Sequence, residues 1–248
     1  MPANDFTLPG YGQLLAALFA KGYSVARYAE VVPDQPQLIL RHDVDMDLER
    51  ALQMAEFEAR IGVRASYYVL LRTEMYNLFS DRGSRIIQQL GALGHEVGLH
   101  FDASLYAPER TVLESAAEQE CQMLQSILGR AVDTITFHRP APALQGMPGR
   151  FAGRLHGYDP RFFSDIGYCS DSEGRWRFGH PLEHEAIDQG RALQLVTHPV
   201  WWCAYAGEPV ITKLQRLLQD KADQLRNEVA INCKPYKAHL KAQVEQLL

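Results

Sequence analysis

The sequence has few cysteines, no basic block and no long apolar run, and each shortage excludes a class of protein. The four cysteines lie at least 30 residues apart without a CxxC pair, which argues against a disulfide framework or a zinc knuckle and favours a reducing compartment. Basic residues number 25 against 30 acidic ones, for a net charge of -5, so we expect no nucleic-acid partner. The apolar stretch LLAALFA at residues 14–20 is too short to cross a bilayer and has no basic leader, so we expect no membrane span and a cytoplasmic location.

Short apolar runs that alternate with longer helical segments make up most of the chain. Apolar residues recur at helical spacing within residues 46–62, between the first two runs, and the chain after residue 209 is helical in pattern. Such a βα repeat predicts an α/β fold with a parallel sheet and an added C-terminal helical segment, and the length fits a single domain over residues 1–248. The strand candidates are QLILRHDVD (37–45), ASYYVLL (65–71), HEVGLHFD (95–102), DTITFHRP (133–140), GYCSDS (167–172) and ALQLVTHPVWW (192–202).

One segment breaks this order. Residues 141–160 contain several prolines and glycines and show no periodic pattern. A long irregular connection in a compact domain is usually functional or mobile. We therefore expect a substrate loop or lid here.

Polar side chains gather where the predicted strands end. In parallel βα barrels, the carboxyl ends of the strands build the active site. Five strands share this feature, which predicts a site at that edge of the sheet. The residues are His42, Asp43, Asp45, His100, Asp102, His138, Arg139, Asp171 and His198.

Two acidic residues of the first such strand face the same way. Side chains alternate along a strand, so Asp43 and Asp45 share one side and His42 faces the other. Two neighbouring carboxylates repel each other unless a cation or a shared proton separates them. We predict a divalent metal on one and proton transfer by the other. The alternative is that Asp45 or Asp47 caps the following helix.

The histidines divide by position. His100, near the end of its strand, is the better metal-ligand candidate, whereas His95, at the strand start, is expected to be structural. His138 and His198 are either functional or buried in the core, and His198 is the stronger acid or base candidate. The remaining histidines lie in segments predicted as loop or polar helix, where we expect solvated side chains; they are His156, His180, His184 and His239.

Three tryptophans lie near these strand ends. Trp176, Trp201 and Trp202 are candidates for sugar-binding surfaces, although core or rim packing is the commoner role of such residues. By sequence, Asp171 belongs to the same group.

Taken in order, these motifs resemble the polysaccharide deacetylases, also called the NodB-homology or carbohydrate esterase family four enzymes, over residues 38 to 202. RHDVD resembles the first motif, which makes Asp43 the catalytic base and Asp45 a metal ligand. GHEVGLH resembles the approach to the second motif, which makes His100 a metal ligand. HRP resembles the motif whose arginine orients the catalytic aspartate, here Arg139. LVTH resembles the last motif, which makes His198 the group that protonates the leaving amine.

The match is incomplete. SDSEGRW, from Ser170 to Trp176, resembles the fourth motif only loosely, and the tyrosine that ends the third motif is replaced by PAP. The second metal histidine of the family would fall at Ser104, so we expect the ligand set to be completed from elsewhere, by His138 or Asp102. We therefore predict that the metal site is formed by Asp45, His100 and His138. We predict that substrate is bound by Trp176, Trp201, Trp202 and Asp171.

The resemblance implies a deformed (β/α)7 barrel of NodB-like type and a metal-dependent hydrolase that removes an N-acetyl or other N-acyl group. The implied substrate is an acetylated sugar or glycan precursor. Zinc is the default cation for Asp and His ligands, and cobalt, nickel or manganese can occupy the same site. Two alternatives are a hydrolase of another C–N amide bond and a catalytically inactive carbohydrate-binding barrel. A phosphoesterase fits poorly because it would require more carboxylates. The sequence does not indicate the oligomeric state.

Overall fold

The computed structural model of the chain describes residues 6–203, 205 and 207–245. The strands are β1 (Ser24–Val25), β2 (Gln37–Val44), β3 (Ser66–Val69), β4 (Glu96–Phe101), β5 (Thr134–Phe137), β6 (Leu155–His156), β7 (Gly167–Ser170) and β8 (Leu193–Thr197). The helices are α1 (Leu8–Ala20), α2 (Leu48–Arg60), α3 (Asp81–Ala92), α4 (Arg110–Leu128), α5 (Pro160–Phe163), α6 (Glu185–Asp188), α7 (Pro199–Trp202), α8 (Val210–Asn232) and α9 (Lys234–Glu245).

All strand pairs are parallel, in the order β6-β5-β4-β3-β2-β8-β7, and β1 joins the sheet beside β2. Seven principal strands therefore curl into a deformed α/β barrel, as the sequence predicted. The helices α2, α3 and α4 connect consecutive strands from β2 to β5. The six predicted strands are present, and the predicted C-terminal helices are α8 and α9.

The chain divides into two compact units, Met1–Gly207 and Glu208–Leu248. The sheet and every predicted site residue belong to the first unit, and the second contains α8 and α9. The single domain expected over residues 1–248 remains a prediction. Among the described residues, no helix combines the length and the apolar character that a membrane span requires.

Local sequence explains where the main helices begin and end. Asp47 caps α2, because its carboxylate accepts a hydrogen bond from the Arg50 backbone N–H at 3.0 Å. The helix-cap alternative is thus correct for Asp47. Ser80 caps α3 in the same way through Gly83. Gly129 ends α4 in the left-handed conformation, with φ at 74°, which glycine adopts without steric cost.

The barrel interior is set by the alternation of side chains along β2. Ile39 packs inside with Tyr68 and Phe162, whereas His42 faces the opposite side and contacts Glu58 of α2. Gly98 of β4 permits this packing because a Cβ atom there would lie 2.3 Å from the Tyr68 ring. Arg41 and Asp43 share the interior face with Ile39, and this arrangement brings their charges into the barrel.

The segment predicted as a lid is partly built into the core. It contributes β6, which pairs with β5, and the buried residues Phe151, His156 and Tyr158. The rings of Phe151 and Tyr158 pack on Phe137 at centroid distances of 5.0 and 5.7 Å. The expectation of a solvated His156 is wrong, because β6 places this side chain inside, where it is 0% exposed.

Candidate active site

A cavity of about 820 Å³ opens where the strands end, and Asp45, Asp102, Ser104 and His138 are among its lining residues. These residues follow β2, β4 and β5. They converge at this edge of the sheet because parallel strands present their carboxyl ends together.

Three predicted ligands meet beside this cavity, and two of them, Asp45 and His138, line it. Asp45, His100 and His138 each offer one ligand atom, and these atoms all lie within 4.8 Å of one another. Asp45 Oδ1 lies 3.2 Å from His100 Nε2 and 3.4 Å from His138 Nδ1. This buried oxygen makes no well-aligned hydrogen bond within the described part of the chain. A carboxylate oxygen and two imidazole nitrogens that converge without satisfying one another fit a divalent cation such as zinc.

The orientation of His100 is fixed by a contact of the ring nitrogen that does not face Asp45. Its Nδ1 lies 2.7 Å from Thr136 Oγ1 on the neighbouring strand β5, and the ring is 2% exposed. This contact leaves Nε2 directed at Asp45. Such outer contacts of a histidine select its tautomer and orient it as a ligand.

Asp43 is held by an arginine that the motif comparison did not assign. Arg41 Nε donates to Asp43 Oδ1 at 2.8 Å, and Arg41 Nη2 donates to Asp43 Oδ2 at 2.8 Å. Burial opposes ionisation of Asp43, but the Arg41 guanidinium and the nearby His100 hold its pKa below the usual range. Asp43 Oδ2 also lies 3.8 Å from His100 Nε2. The carboxylate is therefore ionised, oriented and adjacent to the ligand cluster.

The structure does not place Arg139 at Asp43, where the motif resemblance would put it. Arg139 takes a left-handed backbone conformation, with φ at 47°, at the point where the chain leaves β5. Its side chain is exposed, and its Nε lies 2.8 Å from His138 Nε2. The two-residue spacing of Arg41 and Asp43 on one strand was the signal for the actual partner, because residues i and i+2 share a face.

His198 also lies beside the cluster and is held by Asp171. Its Nδ1 is 2.6 Å from Asp171 Oδ1, and its Nε2 is 3.8 Å from Asp45 Oδ2. Burial opposes the charged form, but the Asp171 carboxylate outweighs burial and raises the pKa of His198 to about 9. The imidazolium form is thus favoured at neutral pH, with Nε2 directed toward Asp45.

Asp171, Trp201 and Trp202 are buried and do not form the predicted sugar surface. Asp171 is 0% exposed, and its carboxylate also accepts hydrogen bonds from the His198 backbone N–H at 3.0 Å and from Trp202 Nε1–H at 2.7 Å. Trp201 and Trp202 are buried because they belong to α7, which packs against α1 and α2. Trp176 is half-buried and lies 5.9 Å from the Trp202 ring.

The position where the resembled family carries its second histidine has another function here. Ser104 donates its hydroxyl to Asp102 Oδ1 at 2.6 Å, and its backbone N–H donates to the same oxygen at 3.0 Å. Asp102 therefore caps the short turn after β4. It is not one of the three converging residues, and His138 takes the third place.

Sequence reasoning also missed a buried network on the helix side of β2. Glu58 accepts hydrogen bonds from Tyr11 at 2.7 Å and from Tyr67 at 2.6 Å, and it lies 2.9 Å from His42 Nε2. His42 Nδ1 in turn lies 2.6 Å from Thr197 Oγ1 on β8. The network joins the strand that carries Asp43 to the strand that precedes His198. Its members hold the two strands in register.

His95, by contrast, has the structural role that was expected. Its Nδ1 accepts the Ala65 backbone N–H at 3.1 Å, and its Nε2 lies 3.0 Å from the Ala55 carbonyl oxygen. Its ring is 1% exposed. From its place just before β4, it therefore satisfies backbone groups of α2 and of the residue before β3.

No protein-family model and no curated protein sequence matches the chain. Among solved structures, IcaB from Ammonifex degensii is similar, with 16% identity, a TM-score of 0.41, and coverage of 54% of this chain and 68% of that one. The Streptococcus pyogenes deacetylase PplD has 13% identity and a TM-score of 0.42, with 82% and 83% covered. A CE4 family pseudoenzyme from Bacillus anthracis has 11% identity and a TM-score of 0.41, and this chain spans 63% of its length while 78% of this chain is covered. Similarity at this level says nothing of activity, which is derived from the site alone. The chain is similar, at low sequence identity, to solved structures of carbohydrate esterase family four, the family that its motifs resemble.

Proposed function

We propose that the protein is a metal-dependent hydrolase that removes an N-acyl group, acetyl in the first instance, from a sugar or glycan precursor. One observation carries the proposal: an ionised aspartate and a protonated histidine each lie beside a three-residue cluster suited to a metal. Asp43 Oδ2 is 3.8 Å from His100 Nε2, and His198 Nε2 is 3.8 Å from Asp45 Oδ2. A base, an electrophile site and an acid in this order are what hydrolysis of an amide needs.

Asp45, His100 and His138 would hold the ion, zinc by default and cobalt, nickel or manganese as alternatives. The ion would supply a Lewis acid that polarises the acyl carbonyl and increases the acidity of the attacking water. The buried Asp45 oxygen that lacks a well-aligned hydrogen bond supports this assignment, because a buried polar atom otherwise requires a partner.

Asp43 acts as the general base. Water adds to the acyl carbon, and its proton passes to the Asp43 carboxylate. The two hydrogen bonds from Arg41 at 2.8 Å keep this carboxylate ionised before the reaction and fix its direction. Arg41 is therefore a positioning residue, because it acts through Asp43.

His198 acts as the general acid. Its Nε2 proton passes to the sugar nitrogen as the C–N bond breaks, which releases the amine and leaves the acyl group as a carboxylate. The Asp171 contact at 2.6 Å stabilises the imidazolium before transfer. General-acid catalysis of this kind contributes roughly 10²- to 10⁴-fold in rate.

The test is release of acetate and a free amine from N-acetylated sugars by the purified protein loaded with each of the four metals. Asp43→Asn is expected to lower kcat by at least roughly 10²-fold with the metal content unchanged. Asp47→Asn is the matched control, since asparagine also caps a helix and Asp47 lies outside the ligand cluster.

Metal binding without hydrolysis of any acetylated sugar would contradict the proposal. A panel of formyl and ureido substrates then distinguishes a hydrolase of another C–N bond from a carbohydrate-binding barrel without activity.

A further inference from the structure

Two arginines of the cavity take no part in the steps above. Arg72 follows β3 and Arg139 follows β5, and both line the cavity of about 820 Å³ together with Asp45 and His138. Both side chains are exposed. Within the described residues, neither guanidinium forms an ion pair with a carboxylate. Two cations on the wall of one cavity favour an anionic group in its ligand.

Both guanidinium groups have donors that are available to a ligand. Arg72 lies over the Tyr106 ring at 5.1 Å, and the Tyr106 hydroxyl donates to Glu120. Among the described residues, Arg139 contacts His138 only through Nε, which lies 2.8 Å from His138 Nε2. That ring nitrogen would carry the proton when Nδ1 binds a cation, so the Arg139 guanidinium is available to a ligand. An arginine fixed by stacking, as Arg72 is, still presents the paired N–H groups that bind carboxylate and phosphate.

The acidic residues of the cavity do not cancel these charges. The Asp102 carboxylate is buried and engaged by Ser104. Glu74 is an exposed residue of the wall. A divalent ion bound beside Asp45 would offset that carboxylate, which leaves Glu74 as the exposed acid among the lining residues beside Arg72 and Arg139. Glu120, which does not line the cavity, also interacts with Arg72, but its carboxylate is buried and bonded to Tyr106. The field in a concave site of this kind attracts anions.

We propose that the substrate is an acylated sugar that carries an anionic group, a phosphate or a carboxylate, and that Arg72 and Arg139 bind this group. The inference rests on the proposed function and specifies its substrate class. A cavity of about 820 Å³ falls in the range of ligand pockets and has room for a sugar with a substituent. Arg72 is thus a specificity-determining residue.

The test compares kcat/KM of the zinc-loaded protein for N-acetylglucosamine, N-acetylglucosamine 1-phosphate and N-acetylmuramic acid. One of the anionic sugars is expected to be preferred over the neutral one by roughly 10-fold or more, the effect of one charge-assisted contact. Preference for the phosphate or for the carboxylate identifies the group. Arg72→Gln is expected to abolish the preference and to leave the neutral sugar within about 2-fold of wild type. Arg85→Gln is the control, because Arg85 pairs with Asp81 on α3.

Equal kcat/KM for neutral and anionic sugars, or an equal loss for both in Arg72→Gln, would overturn the inference while the proposed hydrolase stands. If no acetylated sugar is hydrolysed, the proposed function fails, and calorimetric titration with N-acetylglucosamine 1-phosphate decides the anion site independently. Arg72→Gln is then expected to weaken binding by roughly 10-fold. Equal affinities in wild type and variant would refute the site.

Discussion

Replacement of Arg41 by methionine tests whether this arginine keeps Asp43 ionised. The guanidinium makes two hydrogen bonds of 2.8 Å to Asp43, and both residues are buried. Methionine fills part of the same volume but leaves the Asp43 carboxylate without its counterion. The Asp43 pKa is held below its ordinary value by Arg41 and His100 against the effect of burial, so removing Arg41 is expected to raise it.

The magnitude follows from the burial of the pair. Loss of one partner from a buried ion pair costs about 3–5 kcal/mol of folding free energy, because an uncompensated charge stays inside. In the wild type, the depressed pKa of Asp43 stabilises the fold above the unfolded-state value of about 3.9, and this contribution is lost as the pH falls through the folded-state pKa. In Arg41→Met the pKa of Asp43 is raised above the unfolded-state value, so protonation of Asp43 stabilises this variant as the pH falls. The stability difference between the wild type and the variant therefore shrinks from pH 8 toward pH 5.

Two measurements check this prediction. Urea unfolding at several pH values gives the stability difference, and the acid limb of kcat/KM gives the apparent pKa of the base. The acid limb of kcat/KM is expected to move to higher pH in Arg41→Met. Both proteins are measured with zinc bound, so that the effect of zinc on the pKa of Asp43 is the same in both. Arg139→Met is the matched control, since Arg139 contacts His138 instead. If Arg139→Met moves the limb and Arg41→Met does not, the assignment of Arg41 is wrong.

Three further outcomes are expected. Asp45→Ala should abolish zinc retention in elemental analysis, whereas Asp47→Ala should retain zinc and lose about 1 kcal/mol of stability with its helix cap; equal retention by both would contradict the ligand assignment. His198→Ala should lower kcat by roughly 10²- to 10⁴-fold with zinc content intact, and wild-type kcat should fall as the pH rises through the His198 pKa, about 9 before the effect of a bound cation. Burial lowers the pKa of His156, so the unfolded chain takes up its proton first and the wild type loses up to about 1.4 kcal/mol per pH unit below pH 6.5. The free energy of unfolding of His156→Leu, measured against pH, should lack this part of the slope. An equal slope in wild type and variant would refute a buried neutral imidazole at His156.

Strand ends were predictable from the sequence because hydrophobic runs and β geometry are local. The ladder places His100 opposite Thr136, and alternation puts Asp43 on the opposite side from His42, as expected. The same alternation, counted back two residues from Asp43, would have identified Arg41 as its partner. Motif resemblance directed attention to Arg139, and a left-handed residue at the end of β5 is not visible in a pattern of residue types.

Burial that depends on tertiary packing was harder to predict. Trp201 and Trp202 follow a catalytic-motif histidine, yet a four-residue helix places them against α1 and α2. His156 lies among glycines and prolines that suggest a loop, yet a two-residue strand against β5 draws it into the core. Short elements of this kind are stabilised by their neighbours and not by their own sequence, so local patterns do not reveal them.

The two edge strands of the sheet, β6 and β7, are consecutive in the chain but lie at opposite ends of the strand order. The segment between them is tied to β8 by the side chain of Gln194, whose amide donates to the Gly157 carbonyl at 3.1 Å and to the Phe162 carbonyl at 2.6 Å. In the part of the chain that the structure describes, no backbone pairing joins β6 to β7, so these two side-chain hydrogen bonds connect the segment between them to β8, the strand that ends just before His198.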